Sequence, residues 1–149
     1  MSAAAQLRER VGLEVEPWRY EVGAEKIREY ASAVGETSPI YYDRDAARSQ
    51  GFRDVVAPPM FVVVYCRWMS PVIEDPRFGI DYDRMLHGAQ QFDWGAPVCA
   101  GDAITTSARL TDAFEKGKLT FYEITSSSRN QEEVEVVRGK WTMIVRGGE

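Results

Sequence analysis

The spacing of hydrophobic and polar residues changes along the chain, and each change predicts an element. Residues 2–11 can form a short helix closed by Gly12, and residues 13–22 read as a strand around Pro17-Trp18. From Ala24 onward Ile27, Tyr30, Ala31 and Val34 fall at i, i+3, i+4 and i+7, one stripe of an amphipathic helix. Glu25 sits in its first turn, where the helix dipole favours an anion, and Gly35 is placed to end it. Residues 36–42 follow as a loop stiffened by Pro39. Asp43 can then N-cap a short helix through Ser49 that Gly51 terminates.

The one long apolar run lies at 55–66, without a single charge. Val62-Val63-Val64 alone would suit a buried strand. The Pro58-Pro59 pair favours a helix instead, because proline breaks a sheet ladder but fits a first helical turn. Residues 58–69, from Pro58 to Met69, therefore read as a central helix, apolar nearly all round and so buried. Such a helix is too short for membrane insertion. Phe61, Tyr65 and Trp68 on it are either core or the wall of a channel, core being the default.

After a mixed stretch to Tyr82 the period becomes two. Leu86, Gly88, Gln90, Phe92 and Trp94 are expected on one face of a strand, with His87, Ala89, Gln91 and Asp93 on the other. Residues 95–101 turn the chain into a strand carrying Ile104, Thr106, Ala108, Leu110 and Phe114. Residues 115–118 form a hairpin turn, a further strand follows to Ser127, and residues 133–145 make the last. Helices followed by an antiparallel meander of four strands predict an α+β architecture. A sheet curled around one apolar helix is a hot-dog fold, expected here as one domain over residues 1–149.

Composition narrows the chemistry. A net charge of −5, with no Lys/Arg cluster to offset it, speaks against nucleic-acid binding. The first ten residues lack the apolar core of a secretory signal, and Cys66 and Cys99 are far apart without metal-ligand spacing, so a cytoplasmic protein with reduced thiols is expected. His87 is the single histidine. No multi-histidine metal site is possible, no metal or cofactor is expected, and any Ser-His-Asp or Cys-His device would have to use His87.

The stretch GAEKIREYASAVGETSPIYYDRDAARSQGFRDVVAPPMF resembles the MaoC-like dehydratases and (R)-specific enoyl-thioester hydratases, and more closely their FAS1-like dehydratase subgroup. LHGAQQFDWGAPVCAGDAI resembles the subgroup's second strand and turn, so the likeness covers about residues 14–146. It implies a hot-dog fold and addition or removal of water across the double bond of an acyl thioester. That chemistry needs proton transfer at two positions and a donor to the thioester oxygen as enolate charge develops. Family members supply the protons from G-D-x-N-P-(I/L/V)-H and the donor from a His-Gly pair that opens the central helix.

Laid on this chain, the motif becomes Gly35-Glu36-Thr37-Ser38-Pro39-Ile40-Tyr41. Glu36 and Tyr41 stand at the catalytic positions, both substituted, and Pro58-Pro59 replaces the donor pair. With an ordinary pKa near ~10, tyrosine donates a proton at neutral pH but is a poor base. Proline has no N–H to offer an oxyanion. Tyr42, Pro59, Met60 and His87 are the candidate substrate contacts, although His87 reads as well as a partly solvated strand residue. The pattern is similar to the subunit of heterodimeric dehydratases that lacks the Asp/His pair and shapes the acyl channel. The resemblance thus implies an acyl-ACP or acyl-CoA thioester as ligand and a homodimer or a heterodimer with a motif-intact hot-dog partner. A non-enzymatic acyl-thioester-binding module is the alternative, and a hot-dog thioesterase ranks last because residues 58–69 contain no carboxylate.

Overall fold

The computed structural model describes residues 3–147. The first helix, α1 (Ala3–Glu9), covers most of the expected 2–11, Ser2 lying outside the described residues. Strand β1 is only Trp18–Glu21. Pro17 has no N–H to donate and interrupts the pairing, while residues 12–15 pair with 108–110 around a bridge between Glu14 and Arg109. Helix α2 (Ala24–Ala33) buries Ile27 and Ala31 completely. Val34 caps the helix rather than continuing its stripe and stays exposed, while Gly35 takes the left-handed φ of +78° that ends it. Asp43 caps α3 (Arg44–Ser49), its Oδ1 accepting the Ala46 N–H at 2.7 Å.

The central segment is buried but is not one helix. It runs as a 3-10 turn (Pro59–Phe61), one turn of α-helix, α4 (Val62–Tyr65), a second 3-10 turn (Arg67–Met69) and α5 (Ser70–Ile73). Three successive residues, Arg67, Trp68 and Met69, hold φ of +50°, +52° and +60°, each at a cost on the order of 1 kcal/mol for a non-glycine residue. This left-handed corner buries Met69 completely and turns Arg67 and Trp68 outward, Trp68 being 60% exposed. It also extends the core past Pro71, since Val72 and Phe78 are fully buried in what the sequence suggested was a mixed loop. Among the described residues no helix is long and apolar enough to cross a membrane.

The long strands are β2 (Met85–Trp94), β3 (Ala103–Lys116), β4 (Leu119–Arg129) and β5 (Glu135–Arg146). They form one antiparallel sheet in the order β1-β3-β4-β5-β2, curled around the central segment as the hot-dog fold requires. The meander therefore has three strands, not four: β2 lies on the far edge beside β5. Residues 95–101 are a crossover pinned to the central segment, with Ala57 N–H to Val98 O at 2.8 Å and Ala100 N–H to Val55 O at 2.9 Å.

A register shift between His87 and Ala89 corrects the expected faces of β2. Gly88 forms the bulge, and a Cβ there would lie 2.5 Å from Ile144 Cδ1, so a larger residue would require the Ile144 side chain to move. His87 consequently sits opposite Met143 on the inward face shared with Gln90 and Phe92, and Leu86 moves to the outer face opposite Ile144. The His87 ring stacks on Trp141 at 6.0 Å, and its Nε2 lies 3.0 Å from Gln90 Oε1.

Cys66 is completely buried under the sheet, its Sγ 3.6 Å from Ser128 Oγ. Burial pushes its thiol up to about 11, the hydroxyls of Ser128 and Thr106 opposing the shift. Because the thiolate is the reactive species, native protein treated with iodoacetamide at neutral pH should leave Cys66 unmodified until denaturant is added. Rapid native modification of Cys66, read by mass spectrometry, would show that the central segment opens.

Candidate active site

The loop bearing Glu36 and Tyr41 is held from both ends. Glu36 N–H bonds to Ala31 O at 2.8 Å across the end of α2. The Tyr42 hydroxyl donates to Glu36 O at 2.5 Å, and Arg28 Nε donates to Tyr42 O at 2.8 Å. Pro39 opens a 3-10 turn, Pro39–Tyr41, which directs Ile40 and Tyr41 against Ala47, Val56 and Cys99. Ile40, Tyr41 and Val56 from this group line part of a chamber of about 510 Å³.

The other walls come from chain segments far apart in sequence. Ala57, Pro58 and Pro59 lead into the central segment, which also contributes Tyr65. Trp94, the start of the crossover and Val136 of β5, 1% exposed, complete the lining. Trp94 ties two walls together through its indole N–H to Pro59 O at 3.2 Å. Gly95 is obligatory at that corner, because a Cβ would lie 2.4 Å from Glu135 O. A chamber of this size with apolar walls suits a small-molecule ligand that is largely hydrocarbon.

Of the six positions singled out from sequence, the structure brings Tyr41 and Pro59 to the chamber wall. Glu36, Tyr42, Met60 and His87 do not line it. Tyr42 is spent on the loop, Met60 points outward at 45% exposure, and His87 stacks on Trp141. Glu36 is half-buried and close enough to act electrostatically on two phenols. Burial first, and the Glu36 carboxylate second, raise both Tyr30 and Tyr41 above the ordinary tyrosine range. A phenol raised in this way stays protonated at neutral pH, which makes Tyr41 a hydrogen-bond donor and a poor base. Phe61, weighed as a channel residue, is fully buried core packed edge-on to Tyr30 at 5.4 Å. Trp68 is outside altogether. The aromatic walls Phe52 and Trp94 carried no signal in the sequence beyond being apolar.

Among the described residues that line the chamber there is no carboxylate and no imidazole. Nor do any three or more His, Cys, Asp or Glu among the described residues form a group that could hold a metal ion. What the arrangement can do unaided is bind an apolar group and donate hydrogen bonds.

Comparison with known proteins agrees with this fold. A UPF0336 protein of Streptomyces griseus is 50% identical over 92 residues, which is 61% of either chain, so this chain spans about three fifths of that relative. A structure titled C-terminally truncated HadBC, a 3R-hydroxyacyl-ACP dehydratase complex from Mycobacterium tuberculosis, superposes with TM-score 0.79 at 24% identity, covering 91% of this chain and 96% of the other. A MaoC-like dehydratase structure gives TM-score 0.78 at 28% identity, covering 95% of this chain and 44% of that one. The family model described as "FAS1-like, dehydratase domain region" matches residues 9–138, and the chain belongs to that family.

Proposed function

We propose that this chain is a subunit of a 3-hydroxyacyl-thioester dehydratase (enoyl hydratase) that shapes the acyl channel while the catalytic acid/base pair resides on another subunit. The observation that carries the reading is the chamber itself. It sits on the motif loop, where the family's chemistry takes place, yet its walls offer apolar surface and phenols with no base. An acyl chain on acyl carrier protein or coenzyme A would gain about 25 cal/mol for each Å² of apolar surface it buries there. Tyr41 would donate to an oxygen of the acyl group, and Glu36 would keep Tyr41 protonated. Pro59 would shape the entrance where complete family members offer an oxyanion donor. The test is hydratase turnover by the purified chain, with and without a motif-intact partner. Partner-independent binding of acyl thioesters, with no turnover in either arrangement, would favour the non-enzymatic binding module instead.

The partner would meet edge strand β2. One side of β2 is paired to β5 and the other is open, and most of its residues are exposed. Beside it stand Trp94 and Met60, 52% and 45% exposed. An open edge flanked by apolar side chains is a pairing surface. Sedimentation at micromolar concentration should therefore give a dimer or a complex with the partner. A clean monomer, both alone and with the partner, would defeat the shared-site model.

A further inference from the structure

The chamber's described lining contains two side-chain oxygens, the hydroxyls of Tyr41 and Tyr65. Tyr41 is half-buried. Tyr65 is different: it is 3% exposed and fixed on all sides. Its ring packs against Phe61 with centroids 6.3 Å apart, and its backbone carbonyl accepts the Trp18 indole N–H at 3.0 Å. No hydrogen bond among the described residues engages its hydroxyl, whereas the other deeply buried tyrosine, Tyr122, donates to Gly79 O at 3.2 Å. No fully buried side-chain N or O lacks a partner among the described residues, so the unpaired Tyr65 hydroxyl is one that opens onto the chamber. That hydroxyl is otherwise served only by solvent reached through apolar walls, and phenylalanine would fill the same volume with no polar group to satisfy.

We infer that Tyr65 is the group that reads the ligand inside the chamber: its hydroxyl donates a hydrogen bond to an oxygen on the acyl chain beyond the thioester carbonyl, so the site selects acyl thioesters oxygenated on the chain over plain saturated ones. The inference rests on the proposed acyl-thioester function and adds to it a discriminating residue on the central segment. Tyr65 stays a neutral donor throughout the physiological range, because burial holds its phenol far above the ordinary value, with the neighbouring Cys66 adding to the shift. A site built to pair with an oxygen rejects the analogue lacking it, since its own buried polar group is then left without a partner.

The experiment is calorimetric titration of the full chain with two ligands that differ by one oxygen, 3-hydroxydodecanoyl-CoA and dodecanoyl-CoA. Wild type should bind the hydroxylated thioester about tenfold more tightly. Tyr65→Phe should bring the two affinities to within about twofold, with dodecanoyl-CoA bound as well as before or better. Its thermal midpoint should not fall, because no intramolecular hydrogen bond is lost. Equal affinity of wild type for the two ligands overturns the inference while leaving the acyl-thioester function standing. So does a Tyr65→Phe variant that weakens both ligands alike, which would mark Tyr65 as packing. Binding of neither ligand to wild type would defeat the functional reading itself, and the role of Tyr65 with it.

Discussion

Assayed alone, the purified chain is expected to hydrate crotonyl or longer enoyl thioesters at a rate several orders of magnitude below that of the complex with a motif-intact partner. Loss of a general base typically removes ~10²–10⁴-fold. Loss of one oxyanion donor removes ~10²–10³-fold, though the two factors need not multiply. Both proposed losses have a counterpart in the site. Tyr41, which the family resemblance sets at the histidine position, has its phenol raised above the ordinary tyrosine range by burial first and by the Glu36 carboxylate second. Pro59 has no N–H to give. In the complex, Glu36→Gln and Tyr41→Phe in this chain should alter turnover by less than about tenfold, since neither would transfer the reacting protons. Spectrophotometric loss of the conjugated enoyl thioester reads all of these. If the chain alone works at ordinary enzymatic rates and Glu36→Gln or Tyr41→Phe abolishes the activity, the partner model fails. Glu36 and Tyr41 would then be a substituted acid/base pair.

Periodicity made most of the elements readable, because a helix or strand repeats its hydrophobic signal locally. Strand partnership has no such signal: nothing in residues 85–94 says that they pair with β5 instead of β3. One bulged glycine, Gly88, was enough to move His87 to the opposite face, since the side-chain period of a strand is two. The corner at Arg67–Met69 was equally hidden. Left-handed φ at three non-glycine residues is imposed by packing, with Met69 drawn inward and Trp68 turned out, and no local residue preference announces it. The motif loop was legible as a loop, and its substitutions could be named. The chamber was not, because its walls come from segments as far apart as Ile40 and Val136. Tyr65 illustrates the boundary. Its place on a buried segment could be seen from the sequence, but only the structure sets it among the residues that line the chamber.

Asp102→Ala is expected to destabilise the fold by about 2–4 kcal/mol and to loosen the chamber. The Asp102 side chain is completely buried and receives donors from three directions. Arg53 Nη2 reaches Oδ1 at 2.8 Å and Oδ2 at 2.9 Å, Gln131 Nε2 reaches Oδ1 at 3.1 Å, and the Cys99 backbone N–H reaches Oδ2 at 2.9 Å. Removing the carboxylate leaves the buried Cys99 N–H unpaired, at a cost of about 1–3 kcal/mol. It also breaks a charge-assisted pair, whose contribution is discounted because the Arg53 side chain is 56% exposed to solvent. The same N–H anchors the end of the crossover whose residues Gly95, Ala96, Pro97 and Val98 wall the chamber. Stability and binding should therefore fall together: a lower urea midpoint at unchanged slope, and weaker binding of dodecanoyl-CoA under conditions where the variant is still folded. Gln131→Ala removes one neutral donor to Asp102 and the acceptor of the buried Ala103 N–H, and should cost about 1–3 kcal/mol. An Asp102→Ala midpoint corresponding to less than about 0.5 kcal/mol would mean that solvent replaces the carboxylate without penalty, and that the crossover is positioned by its backbone pairing with residues 55–57 instead.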